Sequence, residues 1–296
     1  MSEQRTASMV VIASGFLFGT TGTATILADT GASSLAVASA RLVVGSLGLI
    51  TLAWRAHGSA PLLELWRRRE TWAMGLGVAG YMALFFAAVG VGGAAIASLV
   101  SISLSPFFAA SFARMLGRPW PGKAWMASTV LAIGGVVLLG WPSTGAAGSH
   151  RLSGAMLAAG ASASYGAYTA FGARFVQRDV RATDALAASF AVAALLLLPF
   201  LVVDAGWLGT WRGGALALWL GVATTTAAYR MFGFGLTHLA PGVVATLVLS
   251  EPVVATLLGV GVLGEPMPLR GWLGCAAIAG GLLLVARSAS RRVAHA

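Results

Sequence analysis

Between Glu70 and Arg114 the chain runs for 43 residues without a charged side chain. Such a run offers no solvated face, so no soluble helix pair or half-exposed sheet can be built from it. A bilayer core about 30 Å thick takes roughly 20 apolar residues per helix, and this run holds two such lengths. The pattern recurs, with 23 uncharged residues between Arg5 and Asp29, 27 between Lys123 and Arg151, 22 between Arg151 and Arg174, and 19 between Asp184 and Asp204. Alternation at period two is absent, and the runs exceed the roughly 9–11 residues of a membrane barrel strand. Only 9% of the 296 residues are charged, against about 25% in soluble domains. That scarcity excludes a disordered chain, a nucleic-acid-binding domain and nearly every soluble enzyme fold.

The expected fold class is therefore all-α, a polytopic membrane protein of ten transmembrane helices. They are predicted at about 7–28, 33–54, 71–90, 94–113, 121–141, 152–174, 184–203, 213–236, 241–262 and 269–287. The 43-residue run turns at Gly90-Val91-Gly92-Gly93, where glycine frees the backbone. Connections are short, and the longest, 55–70, is rich in Trp and Arg and reads as an interfacial segment. The first span lacks a small-residue cleavage site and is followed by nine more, so it reads as retained.

The formal net charge of +10 is a topology signal and not a nucleic-acid signal. With the N-terminus in the cytoplasm, the cytoplasmic side holds Arg5, Arg55, Arg67, Arg68, Arg69, Arg114, Arg118, Lys123, Arg174, Arg178, Arg181, Arg287, Arg291 and Arg292. The opposite side holds Arg151, Arg212 and Arg270. Fourteen against three is a strong positive-inside bias and puts both termini in the cytoplasm. Cys275 is the sole cysteine, and His57, His150, His238 and His295 all fall in loops or tails. No disulfide framework, cysteine-based metal site or intramembrane histidine base is expected, and no cofactor or metal.

Shifting the chain by 146 residues aligns Ser105-Pro106 with Glu251-Pro252, Phe86 with Phe232 and Ala94 with Ala240. After one inserted residue the offset is 147, and it aligns Gly117 with Gly264, Pro119 with Pro266, Pro121 with Pro268 and Trp125 with Trp272. The halves are 7–141 and 152–287, each with five spans. An odd number gives the two copies opposite orientation in the membrane. Inverted repeats are a signature of carriers that alternate access around a midplane site.

The stretch Leu247-Val-Leu-Ser-Glu-Pro252, with Leu263-Gly-Glu265, Gly271-Trp-Leu-Gly274 and Ala279-Gly-Gly281, resembles the C-terminal repeat of EamA-type transporters of the drug/metabolite transporter superfamily. The first copy matches less closely, with Ser105 in place of the glutamate and Arg118 where the Leu-Gly-Glu acid would be. The resemblance covers about residues 12–140 and 152–287. It implies ten helices in a basket, a cavity lined mainly by helices 1, 3, 4, 6, 8 and 9, and secondary transport of small metabolites. It also implies a multi-pass protein of the bacterial cytoplasmic membrane. One branch of the family comprises amino-acid exporters resembling YddG.

Polar residues mark the same interior without the resemblance. They concentrate in the first span (Thr20, Thr21, Thr23), the fourth (Ser98, Ser101, Ser105), the sixth (Ser162, Tyr165, Tyr168, Thr169) and the eighth (Thr224, Thr225, Thr226, Tyr229). The second span is polar too, while the fifth, seventh and tenth carry little and are expected outside. A hydroxyl in a membrane helix also serves by bonding its own backbone or by easing close packing. The tyrosines Tyr81, Tyr165, Tyr168 and Tyr229 are stronger candidates, since a phenol joins an apolar face to a polar tip.

Arg41, Arg230 and Glu251 are the ionisable residues within spans. Each costs on the order of 3 kcal/mol at mid-helix, so each calls for a partner or a wet cavity. Arg230 and Glu251 lie equally far from the turn near 238–242, which predicts an ion pair, structural or substrate-binding. Held by an arginine, Glu251 keeps its charge; with a weak partner it could carry a coupling proton. Pro252 and Pro106 deprive the carbonyls of Val248 and Ile102 of their helical partners, which marks the two prolines as hinges beside a cavity. The expected substrate-binding set is thus Thr20, Tyr81, Ser101, Ser105, Tyr165, Tyr168, Thr225, Tyr229, Arg230 and Glu251.

Gly117-Arg-Pro-Trp-Pro-Gly122-Lys123-Ala124 imitates a nucleotide-binding P-loop. Ala124 lacks the magnesium-binding hydroxyl and two prolines remove N–H donors, so the segment reads as a loop between helices. Transport is then passive or ion-coupled. The expected function is a secondary carrier, an exporter of amino acids or similar small metabolites and not an enzyme, with the lipid bilayer as its other partner. The rival readings are a membrane-embedded enzyme or lipid-handling protein, and a channel.

Overall fold

Every regular element among the residues that the computed structural model describes, 3–140, 151–176 and 180–291, is helical. Trp141, His150, Arg178, Arg292 and His295, used in the span, charge and histidine arguments, lie outside the described residues. Helix α1 spans Glu3–Ala28, α2 Ser34–His57, α3 Ala60–Trp66, α4 Arg69–Gly92, α5 Ala94–Met115 and α6 Lys123–Gly140. The second half begins with α7 at Arg151–Val176 and α8 at Ala182–Val203. Segment 211–238 is composite: α9 (Trp211–Leu218), a π-helix (Trp219–Ala227) and α10 (Ala228–His238). Segment 241–263 divides into α11 (Pro241–Leu247) and α12 (Ser250–Leu263), and α13 (Leu269–Arg291) follows.

Among the described residues eight helices are long and apolar enough to cross a membrane: α1, α2, α4, α5, α6, α8, the α11–α12 segment and α13. Helix α7 has the length, 26 residues, with a sequence richer in Gly, Ser and Tyr. The expected turn at 90–93 is present, with Gly93 at φ +85° between α4 and α5. In the 55–70 segment α3 is tied to α4, since the Trp72 indole N–H donates to the Trp66 carbonyl (3.0 Å). At the far end of α1, the Asp204 carboxylate accepts the Ser33 N–H (2.7 Å) and ties the start of α2 to the end of α8. That bond holds the Asp204 pKa below the usual carboxylate range.

The two prolines act differently. Helix α5 continues through Pro106, and the freed carbonyl of Ile102 accepts the Ser105 hydroxyl (2.9 Å). Before Pro252 the helix breaks, and the Val248 carbonyl instead accepts the Glu251 N–H (2.9 Å). One orphan acceptor is thus filled by a side chain and the other by a tightened turn.

Packing pairs α4 and α5 with α7, α1 with α10 and α12, α2 with α8, and α6 with α13. Lipid offers no hydrophobic drive between helices, so small residues that permit close approach decide the contacts. A methyl added at Gly166 would meet Cβ of Phe108 at 2.6 Å, and one at Gly19 would meet Cβ of Val254 at 2.7 Å. Gly75 sits against Val192 and Gly221 against Val44 in the same way. Helices α6 and α13 pack chiefly on each other, at the periphery as expected. Helix α8 departs from expectation: much of it is buried, and Phe190 reaches the interior. An aromatic wall carries no polar mark, so the polarity criterion passed over it.

Candidate functional site: a tyrosine cluster with one cation and one anion

The chain has four tyrosines, and its packing brings all of them together. Tyr81 on α4 meets Tyr165 on α7 with ring centroids 5.8 Å apart, and Tyr165 meets Tyr168 at 5.1 Å. Phe232 on α10 touches Tyr165, Tyr168 and Tyr229. Tyr229 is further wedged between Phe18 on α1 (5.0 Å) and Phe190 on α8 (4.4 Å). Most of these contacts are edge-to-face, the geometry that aligns ring edges with neighbouring π-faces. The Tyr168 hydroxyl is buried without a hydrogen-bond partner: it lies near Tyr165 and Tyr229 but not in bonding geometry.

Two opposite charges border this cluster. Glu251 stands at the start of α12, where its backbone packs against Gly15 and Gly19 of α1, on either side of Phe18. Arg41 on α2 stands over the Phe18 ring (5.9 Å), which itself packs against Tyr229. Arg41, Glu251, Tyr81 and Tyr165 are each half-buried. All four are packed among helices and keep partial exposure.

The π-helix sets the position of Arg41. The Thr225 and Thr226 hydroxyls donate to the carbonyls of Leu220 and Gly221, five residues earlier, within that segment. Thr226 also reaches the Gly45 carbonyl on α2 (3.1 Å). Arg41 Nε then donates to Thr225 Oγ1 (3.0 Å) and Nη2 to the Thr224 carbonyl (3.1 Å), with its guanidinium over the Phe18 ring. π-Helical turns are rare and concentrate at functional sites.

The EamA-like transporter family model matches residues 5–141 and 152–287. The chain belongs to the EamA-like transporter family. The uncharacterized transporter YwfM of Bacillus subtilis (strain 168) is 35% identical to it over 290 residues, 94% of this chain and 93% of that protein. A solved structure described as "Crystal structure of protein" superposes with a TM-score of 0.80 at 22% identity, covering 97% of this chain and 98% of that one. That likeness shows a shared fold. An EamA-like chain of this composition is a multi-pass membrane protein of a transporter family, as its motifs implied.

Among the residues expected at the site, Tyr81, Tyr165, Tyr168, Tyr229 and Glu251 come together, and Thr225 joins them through Arg41. Arg230 does not. It is exposed on α10, and among the described residues it forms no ion pair with Glu251. Matching depth fixes height along the helix but not direction. Neighbouring residues point about 100° apart, so burying Tyr229 turns Arg230 outward. Ser101 donates to the Ala158 carbonyl on α7 (3.1 Å), and Ser105 fills the Ile102 carbonyl. Thr20 bonds the Leu17 carbonyl and accepts from the Trp219 indole, a side chain near the bundle's exterior. These three hydroxyls are spent on helix packing. The cluster also gathers residues outside the expected set: Arg41, Phe18, Phe190 and Phe232. Arg41 was visible as an ionisable residue within a span and Phe232 as the repeat counterpart of Phe86, whereas Phe18 and Phe190 left no signal in an apolar sequence.

Two cavities lie at opposite ends of α1, apart from the tyrosines. One of about 580 Å³ is bordered by Ser33, Asp204, Phe86 and Phe200. The other, of about 400 Å³, is bordered by Gln4, Arg118, Trp125 and His238.

Proposed function

We propose that this EamA-like transporter is a secondary carrier that exports amino acids or similar zwitterionic metabolites across the bacterial cytoplasmic membrane. The observation that carries the reading is the placement of Arg41 and Glu251 beside one tyrosine cluster. Arg41 uses two of its five N–H donors on the π-helix and keeps the rest for a carboxylate. Glu251 offers oxygens to an ammonium group. The phenol faces take the apolar stem, and the unpartnered Tyr168 hydroxyl is a handle for a polar atom.

The carrier has ten spans, with α7 and the composite segment 211–238 joining the eight apolar ones. They form two inverted repeats that rock around the site, with both termini in the cytoplasm. Recurring contacts support the repeats. The Gly166–Phe108 approach is matched by Gly19–Val254, and the Gly75–Val192 approach by Gly221–Gly45. Each partner maps onto its counterpart at offset 146 or 147, the offsets of the sequence repeat. The N–H of Arg118 bonds the Ala113 carbonyl, and that of Glu265 bonds the Gly259 carbonyl, at the same offsets. The family model matches two stretches that correspond to these halves.

The test is uptake of labelled amino acids into proteoliposomes at two pH values, with and without a membrane potential. Saturable movement of at least one amino acid is expected. Folded protein that moves none across a full amino-acid panel overturns the reading. The pH arm separates proton coupling through Glu251 from uniport.

A further inference from the structure

The loop that imitates a P-loop borders the cavity of about 400 Å³ at the beginning of α1. Gln4, Arg118 and His238 are its polar residues, and Trp125, Leu239 and Val243 give it an apolar wall. Arg118 is half-buried, and burial strips enough water from its guanidinium to lower its pKa from the usual value. Among the described residues no carboxylate pairs with it. Gln4 Oε1 is likewise buried with no hydrogen-bond partner. A desolvated cation and an unfilled acceptor on one cavity are costs that a ligand carrying an anion and a donor would relieve.

The loop itself does not require a cation. The equivalent loop after α12 keeps its Gly at positive φ (Gly117 at +87°, Gly264 at +72°), its two prolines and its backbone bond, yet carries Glu265 in place of Arg118. The same backbone accepts either sign, so the loop conformation does not dictate the charge at 118.

We propose that this cavity is the loading site of the carrier, binding a zwitterionic solute with its carboxylate on Arg118 and its ammonium on Gln4. The inference rests on the carrier reading above. Along α1 the buried Ala7 and Val11 lie between Gln4 at the cavity and Gly15, which packs against Ser250 and Glu251. Trp125 belongs to both regions, for it borders the cavity and its indole donates to Thr246 on α11 (3.1 Å). Helix α11 runs from the cavity wall at Val243 to the break that precedes Glu251. A solute in the cavity therefore contacts the segment whose movement would open the central site to that face.

The test is arginine-selective labelling of the intact wild-type protein in liposomes with phenylglyoxal, resolved residue by residue by mass spectrometry. L-Leucine or L-phenylalanine is expected to slow labelling of Arg118 at least threefold. L-Leucinamide, which lacks the carboxylate, and sulfate at equal ionic strength are expected not to. Equal protection by sulfate marks a generic anion site and overturns the proposal, as does no protection at all. In transport, Arg118→Gln is expected to raise the half-saturating concentration about tenfold for solute presented at this face, and less than twofold from the other. Protection of Arg118 in a protein that moves no amino acid overturns the carrier reading and leaves the binding site standing. Transport with Arg118 unprotected overturns the site and leaves the carrier standing.

Discussion

Replacing Tyr168 with phenylalanine separates a structural hydroxyl from a ligand handle. The side chain is 2% exposed, with its ring held by Tyr165 and Phe232. Its hydroxyl has no partner within the protein. A buried, unsatisfied polar group costs about 1–3 kcal/mol, whereas the phenyl ring of the variant keeps the ring contacts. Tyr168→Phe is therefore expected to stabilise the ligand-free protein by about 1 kcal/mol. For a chain of this size that is a rise of roughly 2–4 °C in the unfolding midpoint. Phe232→Ala, which removes the ring shared by three tyrosines, is expected to cost about 3–5 kcal/mol. If the hydroxyl meets the solute, Tyr168→Phe also weakens binding by roughly tenfold, the equivalent of about 1.4 kcal/mol. Thermal unfolding in detergent, followed with and without the transported amino acid, measures both. A lower midpoint in the ligand-free variant would show that the hydroxyl has a partner, and unchanged affinity would remove it from the site.

Glu251→Gln is expected to abolish most transport while the protein still inserts and elutes as a single species; wild-type uptake would exclude Glu251 from the site. Gly19→Ala and Gly166→Ala are both expected to destabilise, because each added methyl meets another helix within 2.7 Å. Gly22→Ala and Gly134→Ala meet nothing within 4 Å and are expected to gain up to about 1 kcal/mol from helix propensity; equal effects in all four variants, measured by thermal unfolding, would refute the packing argument. Asp204, with its pKa depressed by the Ser33 N–H, contributes its bond above the ordinary carboxylate pKa and loses it as pH falls through the lowered value. An acid titration of stability is therefore expected to show a contribution at neutral pH that Asp204→Asn lacks and that vanishes in strong acid.

The helices were legible because lipid imposes one rule on every span: enough apolar residues and few charges. The tyrosines were legible because polarity inside a span needs a reason. Direction was harder to read. Arg230 and Glu251 stand at matching heights, but the face each presents depends on the helix winding, and the π-helix from Trp219 to Ala227 departs from the regular winding. The Thr224–Thr226 run is the sequence trace of that segment, since two of its hydroxyls close on carbonyls five residues back. Ser101 and Ser105 illustrate the converse, where hydroxyls on a polar helix face are consumed by backbone carbonyls. Phe18, Phe190 and Phe232 could not be told from lipid-facing rings by composition, because only packing separates the two.

Arg41 and Glu251 are proposed to hold the two ends of one zwitterion. Equilibrium binding of L-leucine, L-leucinamide and isocaproate to wild type, Arg41→Gln and Glu251→Gln tests it directly. Wild type is expected to favour leucine over both analogues. Arg41→Gln is expected to bind leucine and leucinamide alike, and Glu251→Gln to bind leucine and isocaproate alike. Unchanged discrimination in both variants would contradict the account.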